Sequence, residues 1–357
     1  MCRVCAGAGT DAGGEVMKVL CIGSAVMDIM GFPIDQAAEW KEKQRISDIR
    51  IQPGGDAVNQ SIYMAALGVE PMLAACVGAD MNGKMLKGAL RELGVDVSCV
   101  KEKAGHATGT AMVLVNEAGE RRVFSVKGAH STLAAGDVPE IFGEPAEGQA
   151  AYGGPADCQA ASVIPADCRA ISLASLFSMP EFEADGLEEY LKAAKARGIL
   201  VFADLAADKL GLGLNGIRRF LPYIDYFLPS LYDVLGMTGT ETAEETADVF
   251  HALGVANVVI KCGERGCYYS AGKFSASGWA SAIPVPVVDP TGAGDCTVAA
   301  FITRILRGDS LGDACRYACA AGSYSTTFAG ASTAELSDAA VQKMLGGSMV
   351  APGTYLC

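Results

Sequence analysis

An α/β fold with a mostly parallel central sheet flanked by helices, plus a small β flap, is what this sequence predicts, and three observations carry the prediction. Short apolar runs of strand length alternate with amphipathic stretches of helix length along most of the 357 residues, as in parallel sheets covered on both faces. Two glycine loops, Pro53-Gly54-Gly55-Asp56 and Asp289-Pro290-Thr291-Gly292-Ala293-Gly294-Asp295, each lead into a helix. A single hairpin breaks the alternation and so belongs to a separate antiparallel flap.

Residues 1–16 are rich in Gly and Ala without periodicity and read as a disordered leader. The first strand is Lys18-Val19-Leu20-Cys21-Ile22, followed by Asp28 just beyond its carboxyl end, where open α/β sheets place their ligands. Asp28 is therefore a substrate candidate, with a turn or cap role as the alternative. Residues 29–51 carry few helix signals. The first glycine loop then opens an amphipathic helix that Gly68 stops. A buried strand over 71–77 and a helix over 82–93 follow. Thr108–Val115 and Arg122–Val126 form the hairpin, expected to pair with the segment before Pro53. Composition shifts to Gly, Ala, Pro and Gln over 143–165, which reads as a surface insertion. Strands at 170–173, 199–203, 226–228 and 257–261 then alternate with helices at 187–196 and 243–253, and Asp204 again closes a strand. A tight turn, Lys261-Cys262-Gly263-Glu264-Arg265-Gly266, enters a strand at 267–270. Residues 283–288 are expected as the strand that delivers the chain to the second glycine loop, and helices over 311–327 and 335–345 complete the pattern.

Chemistry is constrained by composition. A formal charge of −13 repels a phosphate backbone, and no basic stripe interleaved with aromatics exists, so nucleic acid is not an expected partner. No apolar run approaches the length of a membrane span and the start lacks a secretion signal, which points to a cytoplasmic protein with no membrane partner. Thirteen scattered cysteines lie mostly in apolar runs and read as buried thiols. With three histidines, acid–base work falls to carboxylates. In the second loop the glycines and the first amides of the next helix form an anion site, with Asp295 at its edge as base or as helix cap.

The motifs Gly54-Gly55-Asp56-Ala57-Val58-Asn59 and Asp289-Pro290-Thr291-Gly292-Ala293-Gly294-Asp295, with Gly78-Ala79-Asp80 and the 261–266 turn between them, resemble those of the ribokinase (PfkB) family of carbohydrate kinases. The similarity runs from about Met17 to about Ala331. It implies a ribokinase-like three-layer fold in one domain over 17–350, with a β lid from about 29–53 and 107–127. It further implies ATP and magnesium as cofactors and a small sugar or nucleoside as substrate. Asp295 would be the base, and the amides of Gly292, Ala293 and Gly294 the anion hole. Asp28, Gly54, Gly55 and Asn59 would read the sugar; Lys261, Gly263, Gly266, Phe328 and Gly330 would line the nucleotide. Asp233 would help hold magnesium through water, Asp289 and Thr291 a potassium ion, and the lid would pair in a homodimer. The sequence departs from the family at Ser230 and Asp233, where many relatives carry Asn and Glu, and at His130, where Asn is frequent. The resulting expectation is an ATP-dependent kinase acting on a hydroxyl of a sugar or sugar acid, with a nucleoside kinase and a non-catalytic sugar or nucleotide sensor as alternatives.

Overall fold

The computed structural model describes residues 17–35, 43–117, 120–141, 163–272, 275–333 and 335–347. The leader at 1–16, most of the insertion at 143–165 and the tip of the hairpin turn at 118–119 lie outside the described residues.

The chain runs β1 (Lys18–Ile22), β2 (Val26–Phe32), β3 (Asp48–Gly54), α1 (Asp56–Ala66), β4 (Glu70–Gly78), α2 (Met81–Glu92), β5 (Val100–Lys103), β6 (Gly109–Val115) and β7 (Arg121–Val126). It continues with β8 (Cys168–Leu176), α3 (Pro180–Ala184), α4 (Leu187–Ala196), β9 (Leu200–Leu205), α5 (Gly213–Ile217), β10 (Tyr226–Phe227), α6 (Leu231–Thr238), α7 (Ala243–Ala252) and β11 (Asn257–Lys261). β12 (Cys267–Ser270), β13 (Ser277–Ala280), α8 (Ala293–Leu306), α9 (Leu311–Ser325) and α10 (Asp338–Leu345) end it.

Among the described residues, nine strands form the central sheet in the order β13-β12-β11-β10-β9-β8-β1-β4-β5, parallel except at β11/β12 and β12/β13. Two apolar clusters cover its two faces. One joins Val58 and Tyr63 of α1 to Phe301 of α8 and Tyr317 of α9. The other joins Leu187 and Leu191 of α4 to Val234 of α6 and Phe250 of α7. Because the central strands are buried on both sides, they read as continuous apolar runs, as β4 does from Pro71 to Gly78.

A second sheet, of four strands among the described residues, has the order β3-β2-β6-β7. The hairpin β6/β7 does not pair with the segment before Pro53, as expected from sequence; β2 lies between, parallel to β6 and antiparallel to β3. Asp28 and Gly31 interrupt the apolar alternation of β2, which hides it as a strand. The strand expected over 283–288 is also absent. Pro284 and Pro286 remove two ladder donors there, and the amides of Val288 and Asp289 both turn to the carbonyl of Thr326 at the end of α9.

Candidate active site

The carboxyl ends of β1, β8, β9 and β11 and the amino ends of α1, α6 and α8 converge beneath the small sheet. A cavity of about 520 Å³ opens between them. It is lined by Gly55 and Asp56 from the first glycine loop, Gly292, Gly294 and Asp295 from the second, and Asp204, Asp233 and Lys261 from the sheet side.

Gly292 takes the left-handed conformation (φ 74°), and a β-carbon there would lie 2.0 Å from the carbonyl oxygen of Ala331, so only glycine fits. The turn lets α8 begin at Ala293 and aim its first amides at the cavity. Ala293 itself turns back, its N–H donating to the carbonyl of Pro290 at 3.3 Å.

Asp295 is the third residue of α8 and is buried. Its carboxylate is held by α1: Asn59 Nδ2 donates to Oδ2 at 2.9 Å and Gln60 Nε2 to Oδ1 at 3.4 Å. Gln60 is fixed in turn by Ser172 Oγ, which donates to its Oε1 at 2.8 Å. Burial first, and the negative charge of Asp56 second, raise the Asp295 carboxyl well above the ordinary carboxylate range. The side chain is thus occupied by tertiary partners, not by capping its own helix.

Asp56 lines the cavity, accepts from Ser175 Oγ at 2.9 Å, and is pushed up to about 6 by burial. Its backbone N–H donates to Ser24 Oγ at 2.9 Å. Lys261 and Asp204, at the carboxyl ends of β11 and β9 on either side of β10, form a buried ion pair. Burial works against the lysine charge, but Asp204 outweighs it and keeps the group protonated. A β-carbon at Gly294 would stand 3.5 Å from Lys261 Nζ, so the ammonium lies beside the start of α8. Asp233, in the first turn of α6, is raised by burial and drawn back down by Lys261.

The other residues named from sequence are placed as follows. Asp28, in β2, packs on Gly54, where a β-carbon would stand 2.1 Å from Oδ2; burial and then Asp56 push its carboxyl up to about 6. Asn59 spends its Nδ2 on Asp295, and its Oδ1 is buried without a partner among the described residues. Asp28, Gly54 and Asn59 are not among the residues that line the cavity, and neither are Gly263, Gly266, Phe328 and Gly330. Gly266 is locked in the β11/β12 turn (φ 90°), with the Ala280 carbonyl 2.0 Å from where a β-carbon would sit. Phe328 packs on Tyr324, ring centroids 5.2 Å apart, and Gly330 N donates to Asp289 Oδ2 at 3.0 Å. Asp289 and Thr291 bind each other and Arg121.

Sequence reasoning missed Gln60, Asp56, Lys127, Phe177, Ser178 and Lys209, all at or behind the cavity. Phe177 alone had a structural signal of its own, a positive φ (75°) in a non-glycine residue, and that is invisible without coordinates. His130 lines the cavity with Nδ1 buried and without a partner among the described residues; burial, then Lys127 and Lys209, hold it below the ordinary histidine value and neutral.

A family model described as pfkB family carbohydrate kinase matches residues 16–338. Over 292 residues the chain is 28% identical to a ribokinase of Haemophilus influenzae, covering 79% of this chain and 83% of that protein. A 2-dehydro-3-deoxygluconokinase of the same organism is 24% identical over 314 residues, covering 84% and 90%. Among solved structures, Arabidopsis thaliana ribokinase complexed with ribose and ATP has a TM-score of 0.72 at 24% identity, covering 93% of this chain and 99% of that one, a likeness of fold.

Proposed function

Because the chain belongs to the pfkB family of carbohydrate kinases, we propose that it moves the γ-phosphoryl group of ATP to a hydroxyl, preferentially primary, of a sugar or sugar acid. One observation carries this reading: a buried carboxylate, Asp295, meets a cavity at the amino end of a helix while two amide side chains hold it in place. Phosphoryl transfer demands alignment and charge neutralisation, and a positioned base adds about 10²–10⁴ in rate.

In this reading the Asp295 carboxylate takes the proton of the sugar hydroxyl, and Asn59 and Gln60 keep it aimed. The amides of Gly292 and Gly294 hold the charge that develops on the transferring group, with Lys261 beside them, while the Ala293 amide expected to join them is engaged by Pro290. Asp28, Gly54 and Gly55 read the hydroxyls. Gly263, Gly266, Phe328 and Gly330 border the nucleotide outside the cavity. Among the described residues no group of three or more His, Cys, Asp or Glu is placed to hold a metal. A magnesium ion arriving on the nucleotide would find a hard oxygen at Asp233, whereas Asp204 is engaged by Lys261. When bound, the ion neutralises phosphate charge.

A sugar is favoured over a nucleoside by the cavity wall. Thr110, Ser125, Lys127 and His130 line its small-sheet side, and Phe177 supplies the one benzene ring among the described lining residues, too few for an aromatic clamp on a base. Lys127 and Lys209 at the same cavity favour an acidic sugar. The test is ADP release over a panel of neutral sugars, sugar acids and nucleosides. Turnover is expected with sugars or sugar acids; ATP binding without turnover on any compound turns the reading to a sensor.

A homodimer of this chain would pair through the outer face of the small sheet. Ile51, Ile29, Met112 and Phe124 stand in cross-strand register there, and Ile51, Met112 and Phe124 are 52%, 44% and 49% exposed. Light scattering of the protein and of Met112→Lys decides: a monomeric wild type sinks the assignment. No helix among the described residues is long and apolar enough to cross a membrane.

A further inference from the structure

The carboxylate that opens the second glycine loop, Asp289, is buried and gathers three segments of the chain. Its Oδ1 accepts from the N–H of Thr291 at 2.9 Å and from the Thr291 hydroxyl at 2.6 Å, and its Oδ2 accepts from the N–H of Gly330 at 3.0 Å. The third segment is the small sheet. Arg121, first residue of β7, reaches across with its guanidinium: Nη1 lies 3.2 Å from Asp289 Oδ1 and also donates to Thr291 Oγ1. The far end of the same strand, Ser125 and Val126, lines the cavity.

Asp289 and Thr291 are the residues that the family resemblance would give to a potassium ion, and the arrangement does not suit one. Asp289 Oδ1 already meets three donors, one of them carrying a full positive charge, and Thr291 Oγ1 accepts from that same cation. An alkali ion on these oxygens would sit a few ångströms from a guanidinium, where like charges repel. Arg121 supplies the same charge without dissociating, and its Nη1 meets both oxygens.

We propose that the Arg121 guanidinium is the resident cation of the 289–295 loop, standing in place of a monovalent ion, and that it fastens the small sheet to the turn that presents Gly292–Asp295. Arg121 is a positioning residue: it touches Asp289 and Thr291, and acts on the reaction through the loop they shape. This rests on the kinase reading above for its effect on turnover, although its effect on the loop does not. A loop that relaxes by an ångström misaligns the anion hole, a change that costs on the order of 10²-fold in rate.

The test compares the wild type with Arg121→Met in potassium, sodium and choline chloride at one ionic strength. ADP release is measured with the best sugar of the panel, and amide hydrogen exchange of 289–294 is measured without substrate. The wild type is expected to turn over within about twofold in the three salts, with exchange unchanged. Arg121→Met is expected to lose about 10- to 100-fold in choline, to exchange faster at 289–294, and to regain both in potassium. Arg121→Lys, which keeps the charge on a shorter side chain, should fall between them, and it stands in if the methionine variant does not fold. Potassium activation of the wild type by more than about fivefold overturns the proposal, as does a methionine variant whose loop exchange ignores potassium. If the wild type turns over nothing, the kinase reading has failed, and the exchange measurements still decide the role of Arg121.

Discussion

Replacing Asp295 by Asn changes one atom type and separates two properties that are usually confounded. In the native site Oδ2 accepts from Asn59 at 2.9 Å and Oδ1 from Gln60 at 3.4 Å, so the carboxylate meets a donor on each side. An asparagine can accept only on one side. Its amide would face the longer Gln60 contact, and Gln60 cannot simply flip, because its own oxygen accepts from Ser172. Losing that one bond costs about 0.5–1.5 kcal/mol. Against this, the Asp295 carboxyl is raised by burial and by Asp56, so the folded state holds a proton that the unfolded chain has released; its charge therefore costs stability as pH rises above the ordinary carboxylate value. Removing the charge removes that cost. The variant is expected to melt at or above the wild-type temperature at pH 8 and to bind ATP unchanged, while turnover falls by about 10² or more, at least ~2.7 kcal/mol in activation free energy. Thermal melts at pH 6, 7 and 8 and a coupled ADP-release assay measure both. Turnover within about tenfold of wild type, with the fold intact, would refute Asp295 as the base.

Further expectations follow from neighbouring contacts. A β-carbon at Gly54 would overlap the Asp28 carboxylate, so Gly54→Ala should raise KM for the sugar about tenfold or more, the worth of one charged hydrogen bond, while KM for ATP holds; equal rises in both KM values would show that Asp28 does not read the sugar. Lys261→Met strands the buried Asp204 carboxylate and should cost about 3–5 kcal/mol by denaturant unfolding, most of it recovered in the Lys261→Met/Asp204→Leu double variant; an unchanged midpoint in the single variant would count against the pair. Asp28 and Asp56 are both pushed up to about 6, and Asp295 is raised as well, so kcat/KM for the sugar should fall as pH drops through about 6, higher than ordinary carboxylates would give. Asp56→Asn should move that acidic limb to lower pH by relieving Asp28, and Asp295 with it; a limb that stays in place would mean that Asp56 acts on neither group.

Much of the architecture was legible because it rests on local pattern. The runs at Lys18–Ile22, Leu187–Ala196, Asn257–Lys261 and Cys267–Ser270 coincide with elements, since a strand buried on both faces and an amphipathic helix each leave a periodic record. β2 left none, because Asp28 and Gly31 interrupt it for reasons of packing against Gly54 and the neighbouring strand. The segment 283–288 misled in the opposite sense: its apolar residues suggest a strand, and its two prolines prevent the ladder.

The glycine loop from Asp289 to Asp295 shows where sequence stops. Residue type alone determined that Gly292 could turn left-handed, that α8 would start at the loop and that a carboxylate would stand in its first turn. Which groups meet that carboxylate was decided by the tertiary fold, since Asn59 and Gln60 lie 236 and 235 residues away in the chain. The same holds for Arg121, which reaches Asp289 over 168 residues. Burial by distant segments also raises Asp295, Asp56 and Asp28. Local sequence can specify backbone conformation and the chemical groups on hand, but partner and dielectric arise only when remote elements pack together.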